Sequence, residues 1–417
     1  MALKRFYGAV ILAVLCLSVV SLFSFTVNAQ QADSWPMFHG DVAHTGYSTG
    51  SGPNTNQTLW VFKTNGEIWG SPAVANGIVY IASLDHNVYA INAKTGTKIW
   101  SYPLGSQSYS SPAVANGLVY IGSDDYNIYA LNATTGAYVW KCTTGNYVQS
   151  NPTVSGGIVY VGSSDNKLYA INATSGMPLW NFTTGGNVIS SAAVSNGLVY
   201  FGSYDHKVYA LNALTGAEKW NYTTGGDVES SPVVGDGNVY FGSYDNYTYA
   251  INADTGALVW KVTTGYDQCV QTSLGFANGI VYTGGSFDNN VYALDAATDA
   301  TIWNYTTGGG IFTAPAIVGN IEYVGSLDNK TYALNAQTGA FLWSFQTGGN
   351  LYSSPAVVNG VAYFGSYDGN VYAVGQNAGT TGSSSSSGLS GIIYYLVAIV
   401  VLVVIIAVAV VVIRRRH

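Results

Sequence analysis

Several residue sets in this sequence have the types and spacing to do chemistry. Asp85, Asp125, Asp165, Asp205, Asp245, Asp288, Asp328 and Asp368 recur at a near-constant interval. A ring of hard oxygen ligands would suit calcium. Asp in a tight turn instead bonds its own backbone, and each copy belongs to a different repeat, so turn residues are expected here. His39 and His44 form a candidate metal pair, but no third ligand lies near them. The cysteines are Cys16, Cys142 and Cys269, with no CxxC or CxxCH, which excludes the usual zinc and haem signatures. No Ser/His/Asp or paired-carboxylate constellation stands out. Catalytic, cofactor-binding and metal-binding residues are therefore expected to be none.

The elements behind these residues repeat. Ala250–Trp260 reads AINADTGALVW, and related stretches end at Trp100, Trp140, Trp180, Trp220, Trp303 and Trp343. The step is 40 residues, except for 43 between Trp260 and Trp303. Such a period fits one four-stranded propeller blade. A short alternating strand leads into Asn-Ala-x-Thr-Gly, whose Gly supplies the positive φ of a tight hairpin. A tryptophan then begins the next strand. Facing a glycine with no side chain, Trp60 and its seven successors are expected to dock one blade on the next. Thr58 to Thr64 carries Trp60 without a preceding motif, and the last unit stops after Val374 without a Trp. Pairing the two gives an all-β, eight-bladed β-propeller whose ring is closed by an N-terminal strand, with no exposed edge at the seam.

This motif resembles the tryptophan-docking motif of the quinoprotein alcohol dehydrogenase propellers, A-x-D-x-x-T-G-x-x-x-W. Asn92, Asn132, Asn172, Asn212, Asn252 and Asn335 stand where that motif has Asp, and Asp295 keeps it. Trp35-Pro36-Met37-Phe38 with His44-Thr45-Gly46 is similar to the lead-in of secreted PQQ-like repeat proteins. The resemblance implies a PQQ- and calcium-dependent dehydrogenase as one reading. Those enzymes place two adjacent cysteines beside the cofactor, and this sequence has none. The architecture is also similar to the BamB-like scaffolds of outer-membrane assembly.

Charge is sparse and uneven. Residues 29–390 carry nine Lys, no Arg and all 21 acids, a net of −12. That surface repels nucleic acid, and the absence of Arg removes the usual bidentate partner of carboxylates and phosphates. The order expected along the chain is a signal peptide at 1–29, an N-terminal segment at 30–56 and the propeller at 57–375. A Gly/Ser/Thr linker at 376–391, a transmembrane helix at 392–413 and a cytoplasmic basic tail at 414–417 follow. The propeller is thus expected outside the cell on a single-pass anchor. Candidate glycosylation sites are Asn56, Asn132, Asn172, Asn181, Asn221, Asn246, Asn304 and Asn329.

The irregular sixth unit marks Tyr266, Asp267 and Gln268 as a candidate binding loop, since a loop that departs from the repeat is not required by the fold. The function these features favour is a non-catalytic cell-surface binding or scaffold propeller, needing no cofactor. It would recognise an extracellular protein or glycan through its membrane-distal face. The alternatives are a PQQ-dependent dehydrogenase and a structural envelope component.

Overall fold

The computed structural model describes residues 34–264 and 270–376. They form eight sheets, each with four antiparallel strands ordered from the axis outward, one sheet gaining the short strand Tyr47–Ser48 as a parallel fifth, and none of these residues is helical. This is the eight-bladed all-β propeller implied by the 40-residue step. Blade 1 comprises Ala73–Ala75, Ile78–Ser83, Asn87–Asn92 and Lys98–Pro103. The inner strands of blades 2 to 8 are Ala113–Ala115, Thr153–Ser155, Ala193–Ser195, Val233–Gly235, Gly275–Ala277, Ala316–Val318 and Ala356–Val358. The second and third strands are buried on both faces between neighbouring blades, so they read as near-continuous apolar runs. Outer strands alternate: in Lys98–Pro103 only Trp100 is buried. The expected signal segment, span and basic tail lie outside the described residues, as does the linker beyond Gln376.

The outer strand of blade 8 is Thr58–Lys63, paired antiparallel with Asn370–Gly375 so that Trp60 faces Ala373. One blade thus draws strands from both ends of the described chain. The N-terminal segment reaches it by winding around the axis. Backbone N–H groups of Val74, Val114, Val194, Val234, Phe276 and Ile317, all on inner strands, donate to the carbonyls of Trp35, Pro36, Val42, Ala43, Thr45 and Gly46. Blade 3 is met by His44 Nε2 at Thr153 Oγ1 (3.0 Å), and blade 8 by the Ser51 carbonyl at Gly360 N–H (2.9 Å). Inner strands are sheet edges, and this segment supplies the partners their buried N–H groups require.

Adjacent blades meet at one backbone oxygen. In the Asn-Ala-x-Thr-Gly turn, Asn92 Oδ1 accepts from the backbone of Lys94 and Thr95, both at 3.0 Å. Asp295 Oδ1 does the same for Ala297 and Thr298. One acceptor oxygen suffices, which explains why Asn and Asp interchange at this position. The turn presents its alanine carbonyl to the preceding blade. Ala133 O accepts Trp100 Nε1 at 2.9 Å and the Tyr80 hydroxyl at 3.1 Å. Equivalent pairs converge on Ala173, Ala213, Ala253, Ala296 and Ala336. At the seam, Ala93 O accepts Trp60 from the first strand and Tyr363 from the last blade. The indole also lies flat on the turn glycine: a Cβ on Gly256, at φ +72°, would sit 2.8 Å from Trp220. Blade 8 has no such turn. There the Tyr323 hydroxyl donates to Pro53 O at 2.8 Å, and Trp343 Nε1 has no partner among the described residues.

One residue departs from the apolar interior. Glu322 is wholly buried where blades 1 to 6 have Val79, Val119, Val159, Val199, Val239 and Val281, and neither carboxylate oxygen finds a partner among the described residues. Burial pushes its pKa well above the ordinary 4.5. The fold therefore holds it protonated, and stability is lost as pH rises above that ordinary value toward the folded one. Glu322→Val is expected to stabilise the protein by about 1–3 kcal/mol at neutral pH, with the gain shrinking toward pH 4. Urea-unfolding midpoints across pH measure this; an unchanged or lowered midpoint at neutral pH contradicts it. Trp220→Phe removes one of the two donors to the Ala253 carbonyl and should cost about 1 kcal/mol more than Trp343→Phe, whose indole N–H has no partner among the described residues. Equal shifts in melting temperature for the two variants would remove that role for the indole N–H.

Candidate functional site: the mouth of the central channel

The blade connections place one residue per repeat at the channel mouth. In each repeat a fully buried residue, such as Val148, Val188 or Val228, precedes it, and a small residue follows it. The strand-like alternation turns the residue between them toward the axis, half-buried. These residues are Trp69, Tyr109, Gln149, Ile189, Glu229, Gln271, Phe312 and Tyr352. They line a cavity of about 460 Å³ floored by Phe38. The mouth opens on the face of the Asp turns. The chain leaves blade 8 on the opposite face, where Gln376 N–H meets Gly360 O.

A belt of small residues fixes this geometry. The backbone N–H of Ser71 donates to Ser111 Oγ (2.8 Å), Ser111 to Asn151 Oδ1 (2.6 Å), and Asn151 to Ser191 Oγ (3.0 Å). The belt continues from Ser191 to Ser231, Ser231 to Ser273, Ala314 to Ser354, and Ser354 back to Ser71. Ala314 offers no hydroxyl to Ser273, so one link is missing.

The mouth has two unlike arcs. Blades 7, 8, 1 and 2 contribute aromatics. Trp69 stacks on Tyr352 with centroids 4.2 Å apart and planes 18° apart, and Tyr109 meets Trp69 edge-on at 5.2 Å. Tyr367 packs on Tyr352 at 4.8 Å, and Phe312 lies 5.6 Å from Tyr352. Across the channel, Glu229 Oε2 accepts the hydroxyls of Tyr204 and Tyr244, and Gln271 Nε2 reaches it at 3.5 Å. Burial and the adjacent carboxylate hold both tyrosine hydroxyls protonated. Asp124 accepts from the amides of Gln107 and Gln149, each at 3.2 Å, and burial raises its pKa. Glu67 adds a carboxylate near Tyr109 and Tyr367. Among the described residues, no Lys or Arg lines the cavity.

The residues singled out by sequence fall elsewhere. The eight tryptophans lie on outer strands, engaged as described. The repeated aspartates border the mouth but are consumed by the scaffold: Asp165 Oδ2 accepts the Tyr169 hydroxyl at 2.5 Å and, from the loop leaving the previous blade, Gly145 N–H at 2.7 Å. Among the described residues no three His, Cys, Asp or Glu side chains cluster to hold a metal. Tyr266, Asp267 and Gln268 lie outside the described residues; their neighbour Gln271 is in the mouth. One of the three extra residues of this unit falls beside Gly285, in the turn before Asp288. Of the sequons, Asn56, Asn181, Asn221 and Asn304 are exposed, and Asn132, Asn172, Asn246 and Asn329 are half-buried. Cys142 is buried and free. The mouth residues went unread because they share no identity; the signal was a single position varying in chemistry between unvarying small neighbours.

His39 and His44 form part of the segment beneath the mouth. Both are buried at φ +59°, with ring centroids 6.1 Å apart and Phe38 packed on each. His39 Nδ1 bonds the His44 carbonyl at 2.8 Å. Burial lowers His39 from 6.5 to about 4 and His44 to about 3. Both are therefore neutral in the fold. Their stabilisation is intact above pH 6.5 and is lost as pH falls through the folded values. His44→Asn, which tolerates the positive φ, should flatten the decline in stability between pH 7 and pH 4. An unchanged slope in pH-dependent urea unfolding would show that His44 does not titrate as described.

An eight-bladed all-β propeller with tryptophans on its outer strands and an axial cavity defines the class of this protein. Residues 49–184, 110–251, 184–273 and 245–386 match the family described as outer membrane protein assembly factor BamB, and the chain belongs to that family. No curated protein matches it. Among solved structures, BamB from Moraxella catarrhalis is 22% identical with a TM-score of 0.67, over 77% of this chain and 98% of that one. A europium-containing methanol dehydrogenase is 15% identical with a TM-score of 0.72, over 82% and 98%. The quinohemoprotein alcohol dehydrogenase from Comamonas testosteroni is 17% identical with a TM-score of 0.71, over 84% and 81%. At these identities the likeness is one of fold, and the fold serves both an assembly factor and dehydrogenases.

Proposed function

We propose that this protein is a non-catalytic binding propeller of the cell envelope that engages its partner through the channel-mouth face. The observation that carries the reading is the make-up of the mouth. PQQ bears three carboxylates, and among the described residues the cavity lining offers the carboxylate of Glu229, with Asp124 bonded to the lining residue Gln149, and no Lys or Arg. Like charges in a partly desolvated site repel, so the residues present do not fit that group. No nucleophile and base are paired there, which favours recognition over reaction. Family membership supports an envelope setting. Anchoring through 392–413, with the propeller outside the cell and the tail inside, belongs to this proposal. So does shielding of the outer strands by glycans at the exposed sequons. The chain leaves blade 8 on the face opposite the mouth, so such an anchor would turn the mouth away from the membrane.

Calorimetric titration of the full chain with PQQ, with and without calcium, tests the reading. The expected result is no saturable heat at high micromolar PQQ. Stoichiometric binding together with dye-linked alcohol oxidation would replace it with the dehydrogenase alternative.

A further inference from the structure

Resting on the binding reading, we infer that the channel mouth is a site for the end of a neutral saccharide chain. A pyranose ring has an apolar face of C–H groups and an edge of hydroxyls. It is best held by an aromatic surface on one side and carboxylates or amides on the other. The mouth is divided in this way. The aromatic arc runs through Phe312, Tyr352, Trp69 and Tyr109 on four adjoining blades, and Glu229 and Gln149 stand across the channel. Among the described residues, the side-chain bonds to Glu229 fall on Oε2, so Oε1 can accept a ligand hydroxyl in a strong charge-assisted bond.

The charge pattern narrows the choice. Carboxylates without cations disfavour phosphorylated, sulfated and uronic-acid ligands. A quaternary ammonium group is bound best by aromatic faces converging around it. Here Trp69 and Tyr352 cover one face of each other, and the aromatics share one side of the channel. A ligand with one apolar face and one hydroxylated edge matches this arrangement better than a cation. The cavity of about 460 Å³ lies within the range of small-ligand sites, roughly 300–1,000 Å³, and is open at one end, so a longer chain can continue outward. The eight channel-facing residues come from blade connections joined by the serine belt, so the site is largely formed before the ligand arrives.

The test is calorimetry on the full chain in a polyoxyethylene detergent, since maltoside detergents carry a competing sugar. The probes are cellobiose, maltose and N,N′-diacetylchitobiose, with choline chloride as the cationic probe. At least one saccharide is expected to saturate one site. Tyr352→Ala and Glu229→Gln should each weaken it about tenfold or more. Leu214→Ala, on the exposed turn of the opposite face, should leave the affinity unchanged. Melting curves establish that the variants fold. Failure of every saccharide to saturate at millimolar concentration overturns the assignment. So does binding that is indifferent to both mouth variants, or saturation by choline alone. These failures leave the binding-propeller reading standing if PQQ is also refused; PQQ binding overturns both.

Discussion

Blade docking depends on a backbone carbonyl with two lone pairs, both used. The alanine oxygen of each turn takes an indole N–H and a phenol O–H from the blade before it, so seven of the eight Trp, with their Tyr partners, are committed to one acceptor each, the pair Trp343 and Tyr323 being the exception. A buried amide oxygen left without donors costs more than a typical bond contributes, so the clamp specifies how neighbouring blades dock as well as holding them. The turn glycine completes the arrangement because any side chain there would occupy the space of the indole. Packing, hydrogen bonding and backbone conformation thus converge on five consecutive residues, which accounts for the low tolerance of the motif and for its legibility in sequence.

The parts of the molecule that were hard to read are those under no such shared constraint. Outer-strand tryptophans announce themselves because each repeat solves the same docking problem. Trp69, Glu229 and Tyr352 occupy one structural position and have nothing else in common; their neighbours on the inner strands fix the backbone, and the side chain is free to vary. Periodicity therefore reveals the scaffold and conceals the site. The N-terminal segment was opaque for a related reason. It contacts each blade in turn from a chain with no repeat of its own, so Trp35, Val42 and Gly46 find their blades through tertiary geometry alone. His39 and His44 look like metal ligands in a linear sequence. In three dimensions their nearest polar partners are a carbonyl and a threonine.

Glu322 and Ala314 are both in or beside blade 7, and each breaks a rule that the other blades keep. The first places a carboxyl where the interface is otherwise apolar, and the second removes a hydroxyl from the belt. Blade 7 also receives the extra parallel strand Tyr47–Ser48, and its outgoing contact runs to Pro53 rather than to a turn carbonyl. The departures gather where the N-terminal segment leaves the axis for the outer edge. At that point local interactions differ from those of every other blade.

The pairing of Thr58–Lys63 with Asn370–Gly375 also sets the order in which the molecule can be completed. Trp60 is among the first propeller residues to leave the ribosome, and its strand partner Ala373 is among the last. Through nearly the whole of synthesis the nascent protein carries one unpaired outer strand and a growing arc with a bare leading edge. The final strand then buries both at once. Chain shortened by a few residues after Phe364 would keep seven intact blades yet lose the seam, leaving quality-control machinery an open arc to recognise.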